Sequence, residues 1–245
     1  MKTFFKIIVL LILVAVIGVV GYLAYLGFVP GLSNLIGANK PRDLGVTYSQ
    51  KDFDSFLAKT DISHEELTGS VSADKSVVFS GSKALKTEFS QAEASVRINN
   101  DKWAYMPVTN VQIRFNDDGT LEFSSNLIMN RLDGFIASIG GVGYSKADIE
   151  KGLGYLNLVK TNPPVYLKAK PVVKNNKVTV EVQSVQVGKI DVPIEKIDTN
   201  GFVASLAEKV FSRTPGFYAN SFYVTGGKAV FDGTIPTKVQ AQYSK

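Results

Sequence analysis

From Ile7 to Val29 the chain carries no charged side chain: IIVLLILVAVIGVVGYLAYLGFV. This run sets an N-terminal rod apart from everything that follows. As a helix rising about 1.5 Å per residue it measures roughly 34 Å, enough for a hydrocarbon core of about 30 Å. Its β-branched content is no obstacle, because in lipid a helix satisfies its own backbone groups. Tyr22 and Tyr25 fall near the far end, where aromatic rings favour the interface. Lys2 and Lys6 flank the short N-terminal side, whereas Pro30–Asn39 is uncharged. The positive-inside rule then places the N-terminus in the cytoplasm and the remainder outside. The rival reading is a cleaved signal peptide, whose apolar region normally spans about 7–15 residues and ends at an A-x-A-like site. Here the run is longer and no such site follows. With no cysteine in the chain, acylation as a lipoprotein is excluded.

The absence of cysteine also excludes disulfide frameworks, cysteine-ligated zinc, iron–sulfur clusters and thiol nucleophiles. A single histidine leaves little for histidine-based catalysis or metal binding. Of 27 basic side chains, removing Lys2 and Lys6 leaves 25 against 22 acidic ones, a net charge of +3 outside the membrane. The lysines are scattered, and no basic stripe of the kind that nucleic-acid binding needs is present. The expected partners are therefore the lipid bilayer, a lipid or other hydrophobic ligand, or an envelope protein, and not nucleic acid.

The expected organisation is a cytoplasmic tip and transmembrane anchor over 1–29, a linker over 30–43 and an extracytoplasmic domain over 44–245. One short helical turn is expected at Leu32–Ile36, and a sub-boundary where the chain passes through TNPPVY near Thr161. Helix starts of the capping-box type or its Asp variant stand at Ser49-x-x-Asp52, Ser63-x-x-Glu66, Ser90-x-x-Glu93 and Ser145-x-x-Asp148, although after Ser63 the run ELTGSVS turns strand-like almost at once. A further helix, about Asn200–Ser212, puts Phe202, Val203, Leu206 and Val210 on one face. Alternating runs predict hairpins around Asp118-Gly119, Asn175-Asn176 and Gly226-Gly227, and a weaker one joining Val77–Phe79 to Leu85–Phe89. Apolar parity shifts between Val182 and Val185, which predicts a β-bulge near Gln183–Ser184. The fold class read from this order is α+β: one N-terminal transmembrane helix, then antiparallel hairpins packed on helices. A helix followed by a hairpin occurs at 90–127 and again at 200–236, the pattern of two related halves.

SQAEASVRIN leading into VQIRFNDDGTLEFSSNL, and VTGGKAVFDGTIP near the C-terminus, give the chain a further likeness. With the single anchor ahead of about 200 residues, it resembles the membrane-anchored YpmS-type bacterial proteins and, more distantly, the tubular lipid-binding (TULIP) superfamily. The resemblance implies a curved antiparallel sheet wrapped around a long helix, with an apolar groove that holds lipid. It transfers no catalytic residue and no specific lipid contact. The helices read here are shorter than that architecture uses.

Candidate sites are few. His64, beside Glu65 and Glu66, reads as a surface residue in a helix start. Gly140-Gly141-Val142-Gly143 lacks the GK[ST] ending of a phosphate loop and reads as a connection between helices. Asn116-Asp117-Asp118-Gly119 reads as a turn, since the ligand spacing of a calcium loop is missing. No catalytic residue, metal or cofactor is expected, and the chain is read as a binder and not an enzyme. The segment containing Trp103, Tyr105 and Met106 concentrates aromatic and sulfur-bearing side chains ahead of a strand; it either caps the core or lines a ligand mouth. Leu132–Val142 is apolar with little charge, either an ordinary packed helix or the lid of a groove. The candidate ligand-binding residues are Trp103, Tyr105, Met106, Phe135 and Ile139. The function expected is a cell-membrane protein, single-pass, whose extracytoplasmic domain binds a lipid or other hydrophobic ligand without catalysis. The alternative is a cell-envelope interaction or scaffold module with a solid core.

Overall fold

The computed structural model describes the backbone of residues 2–27, 29, 31–69, 71–141, 162–196 and 198–244, with side chains from Leu13 onward except at residue 196. Helix α1 (Lys2–Tyr25) opens the chain. Its side chains are thus described only in part, and among the described residues no helix is long and apolar enough to cross a membrane. The expected span over Ile7–Val29 is therefore not supported by the structure. The helix also stops short of Val29, because Gly27 adopts φ +91° and its N–H closes onto the Ala24 carbonyl at 3.0 Å.

The stretch expected to be a linker is tied down along its described length. Helix α2 (Leu32–Leu35) is the single turn foreseen. Ser33 is fully buried; its Oγ donates to the Ala24 carbonyl at 2.9 Å and accepts from Val29 N–H at 3.2 Å. Residues 39–46 then follow an irregular path held to a sheet by side-chain hydrogen bonds. Asn126 donates to the Asn39 carbonyl (2.7 Å), Arg42 to Gln186 Oε1 (2.6 Å) and Leu44 N–H to Gln112 Oε1 (2.7 Å). The Arg42 guanidinium lies 3.7 Å from the centroid of the Tyr166 ring, and Leu44, Val46 and Tyr166 form a small buried cluster.

Helix α3 (Gln50–Thr60) begins with the expected box, Ser49 N–H donating to Asp52 Oδ2 at 2.7 Å. It ends at Asp61 in the left-handed region, φ +45°. The helix expected after Ser63 is instead strand β1 (Ser63–Glu66). Its amides are claimed by the far end of the chain: β1 pairs in parallel with β11 (Lys238–Ala241), and Ser63 N–H reaches the Thr237 carbonyl at 3.0 Å. Strand β2 (Val77–Ser80) takes the other edge of β11. Strand β3 (Lys83–Ser90) pairs instead with β10 (Lys228–Ile235), so the expected Val77–Phe89 hairpin does not form. Both strands find better-placed partners that are remote in sequence.

The larger sheet has eight strands and is curled into a half-barrel. Its axis is the long hairpin of β6 (Pro164–Lys174) and β7 (Lys177–Val187), closed by Asn175 and Asn176 at φ +50° and +61°. On the other edge, β6 is shared. Residues 164–169 pair with β5 (Leu121–Leu127), and 172–174 with β9 (Tyr218–Thr225). Beyond β5 lies β4 (Val108–Phe115); beyond β9 lie β10 and β3, and β8 (Ile190–Asp191) extends β7. Strands on both sides of Thr161 thus belong to one sheet. The bulge sits at Gln183, where Lys168 faces Ser184 and Ala169 faces Val182.

Helix α4 (Gln91–Asn99) starts with a complete capping box at Ser90 and Glu93 and covers the free edge of β4. Asn99 does there what a further strand would do: its Oδ1 accepts from Val111 N–H (2.9 Å) and its Nδ2 donates to the Val111 carbonyl (2.8 Å). Helix α5 (Leu132–Ser138) follows β5, and helix α6 (Thr199–Ser212) lays Val203 and Ala204 on the Ala169, Val180 and Val182 cluster. The helix expected after Ser145 and most of the glycine-rich stretch lie outside the described residues.

Candidate functional site

Four helices and the three-stranded sheet line a cavity of about 710 Å³, open to solvent on one side, among the described residues. Local periodicity aims the walls. Helix α3 contributes Phe53 and Leu57, one turn apart. Strand β2 contributes Val77 and Phe79, while Val78 and Ser80 alternate outward into solvent. Val239 and Ala241 come from β11, Phe135 and Ile139 from successive turns of α5, and Val210 and Arg213 from the end of α6.

Four of the five candidate ligand-binding residues line this space: Trp103, Met106, Phe135 and Ile139. Trp103 is a fixed wall. It is 8% exposed, its indole N–H donates to Ser76 Oγ at 2.9 Å, and its backbone bridges Tyr243 near the C-terminus. Its ring centroid lies 6.1 Å from that of Phe135. Tyr105 is not among the lining residues. Its ring packs edge-on to Trp103, centroids 6.2 Å apart, and lies against Gly134, where a Cβ would overlap it. Tyr105 therefore positions α5 against the Trp103 wall.

The polar part of the wall is mostly self-satisfied. Arg97 pairs with Asp101 at 2.8 Å one turn on, and Glu65 pairs with Lys238 at 2.7 Å. The Lys238 hydrogen bond, with the Lys238 charge and the Gln240 hydrogen bond, outweighs an opposing effect of desolvation and holds the Glu65 pKa below the ordinary range. His64 stands at the rim on β1, not in a helix start. The residue is exposed; partial desolvation beside the cavity, followed by the Arg97 charge, lowers its pKa, with Asp101 pulling the other way. Among the described residues it makes no hydrogen bond, so no nucleophile is coupled to it, and no group of three or more His, Asp or Glu side chains converges as metal ligands. Asn116–Gly119 is a turn, with the Asp118 carboxylate accepting from Thr120 N–H at 2.9 Å and from its Oγ.

Trp103 and Met106, and Phe135 and Ile139, are near one another in sequence, which is why composition and periodicity single them out. Phe53, Leu57, Val77, Phe79 and Arg213 arrive one or two at a time from three elements. Their signal is the apolar stripe or alternation, which reads the same for a cavity wall as for a core. No protein-family model, no curated protein and no solved structure matches this chain.

Proposed function

We propose that this protein is a membrane-anchored extracytoplasmic module that binds a lipid or other hydrophobic ligand without catalysis. The anchor rests on the uncharged run Ile7–Val29 and the lysines ahead of it. The binding role rests on one observation: a cavity of about 710 Å³, lined on most sides by aromatic and aliphatic groups. Small-molecule sites span roughly 300–1,000 Å³ and combine apolar walls with a few polar groups. A closely packed interior would have favoured the scaffold reading instead. Burying an acyl chain there stabilises the complex by about 0.8 kcal/mol per methylene. Native mass spectrometry of the full chain, released from detergent, should detect one retained amphiphile per chain. Filling the cavity with Val239→Trp should abolish that adduct while thermal unfolding stays cooperative. A wild-type protein that carries no adduct, or a V239W variant that keeps it, refutes the reading.

A further inference from the structure

The charges around the cavity do not balance, and the imbalance says what kind of ligand fits. Both lining acids are spent on partners of their own: Asp101 on Arg97 and Glu65 on Lys238. Two lining cations have no acidic partner among the described residues, Lys102 and Arg213. The Arg213 guanidinium lies against Gly140 at the end of α5, in space that a Cβ on that residue would take. Its side chain donates no hydrogen bond among the described residues; its charge is felt at Asp74 without an ion pair. Lys102 is held by the C-terminal segment: its Nζ stands 5.5 Å from the centroid of the Tyr243 ring, and its carbonyl accepts from Ser244 N–H at 3.0 Å. Both cations are exposed at the mouth of the chamber and neither has an acidic partner among the described residues; together they complement a ligand that is apolar over most of its length and negative at one end. Arginine and lysine donors strengthen when they meet an anionic oxygen.

We propose that the cavity takes a single-chain amphiphile with an anionic head, its chain along Phe53, Phe79 and Trp103 and its head at Lys102 and Arg213. This rests on the hydrophobic-ligand reading above and narrows it to a charge class; the volume suits one chain and a small head.

Trp103 is the chain's only tryptophan and forms the wall, so its emission reports occupancy directly. The full chain, delipidated and held in amphipol, is titrated with laurate and separately with dodecanol, which shares the chain and lacks the charge. Laurate should bind at least about tenfold more tightly, the scale of one charge-assisted hydrogen bond. The double variant Lys102→Gln, Arg213→Gln, checked for an unchanged melting curve, should bind dodecanol as before and lose the preference for laurate. Equal affinity of the wild type for both, or a preference that persists in the double variant, overturns the anionic-head assignment and leaves the hydrophobic-ligand reading standing. If neither compound alters Trp103 emission, that reading fails and the head assignment falls with it.

Discussion

Two glutamates carry much of the polar order. Glu93 and Glu122 are both almost fully buried. Burial alone would raise the Glu122 pKa; donation from Arg114 Nε (3.0 Å), Tyr166 Oη–H (2.8 Å) and Asn116 (3.1 Å), with the Arg114 charge, outweighs it and holds the carboxyl below the ordinary glutamate range. Glu93 follows the same logic with Lys59, Ser55 and the Ser90 amide. A carboxyl depressed in the folded state adds stability above its unfolded pKa, about 4.3, and that stability is lost as pH falls through the folded value. Glu122→Gln should therefore cost about 2 kcal/mol at pH 7, and the gap to wild type should narrow progressively as pH falls below about 4.3 in urea unfolding. A gap that is constant with pH would exclude this origin. Serine hydroxyls give a contrasting pair. Ser125 Oγ is buried without a hydrogen-bond partner among the described residues, so Ser125→Ala should leave stability unchanged or raise it by up to about 1 kcal/mol. Ser95 Oγ accepts from Ile113 N–H at 2.8 Å and donates to the Gln91 carbonyl at 2.7 Å, so Ser95→Ala should cost about 1–3 kcal/mol. The same urea titration reads both signs.

At the level of elements, what the sequence discloses divides by range. The boxes at Ser49 and Ser90, the Asn175-Asn176 and Gly226-Gly227 turns, the bulge at Gln183 and the helix near Asn200 were all legible, because each is decided within a few residues. The bulge followed from parity alone: Val180 and Val182 face the α6 helix, and an extra residue is needed to turn Val185 toward the same cluster. The failures share the opposite character. Ser63-x-x-Glu66 has the letters of a helix cap, yet β1 is decided by β11, more than 170 residues later. The cavity was legible only where its walls happen to be clustered in sequence. The use of α4 in place of a ninth strand is likewise invisible in one dimension, since Asn99 looks like any helix-end asparagine. Its role predicts a large effect: Asn99→Ala strips both Val111 groups of their partners at a fully buried residue. The variant should lose about 2–4 kcal/mol and expose the β4 edge, so that it aggregates on heating at temperatures where wild type stays dispersed. Unchanged stability and dispersion would mean that the edge needs no cover.

At the scale of the molecule, the notable fact is how the N-terminal helix joins the rest. A tether is expected to swing. Here the described path from Tyr25 to Val46 is bonded at short intervals: Ser33 to the end of α1, the Asn34–Asn39 side-chain contact, then Asn39, Arg42 and Leu44 to three strands of the sheet. The Leu26 carbonyl also lies in the space that a Cβ on Gly188 would fill, so the β7–β8 turn closes on the helix end, with Gly188 at φ +64°. In the proposed anchored protein, the half-barrel and its cavity would then face the bilayer at one set angle, a consequence that matters for a ligand drawn from lipid. Hydrogen exchange distinguishes a docked strap from a loose one in the intact chain. The amides of Leu44 and Val46, both donating to Gln112 Oε1, should exchange at rates close to those of β6 and far below those of an open segment. Gln112→Ala removes that acceptor and should speed both amides while leaving β6 protected, because only the strap loses its partner. Fast exchange of Leu44 and Val46 in the wild type would show that the helix and the half-barrel reorient freely, and the set angle would be lost with it.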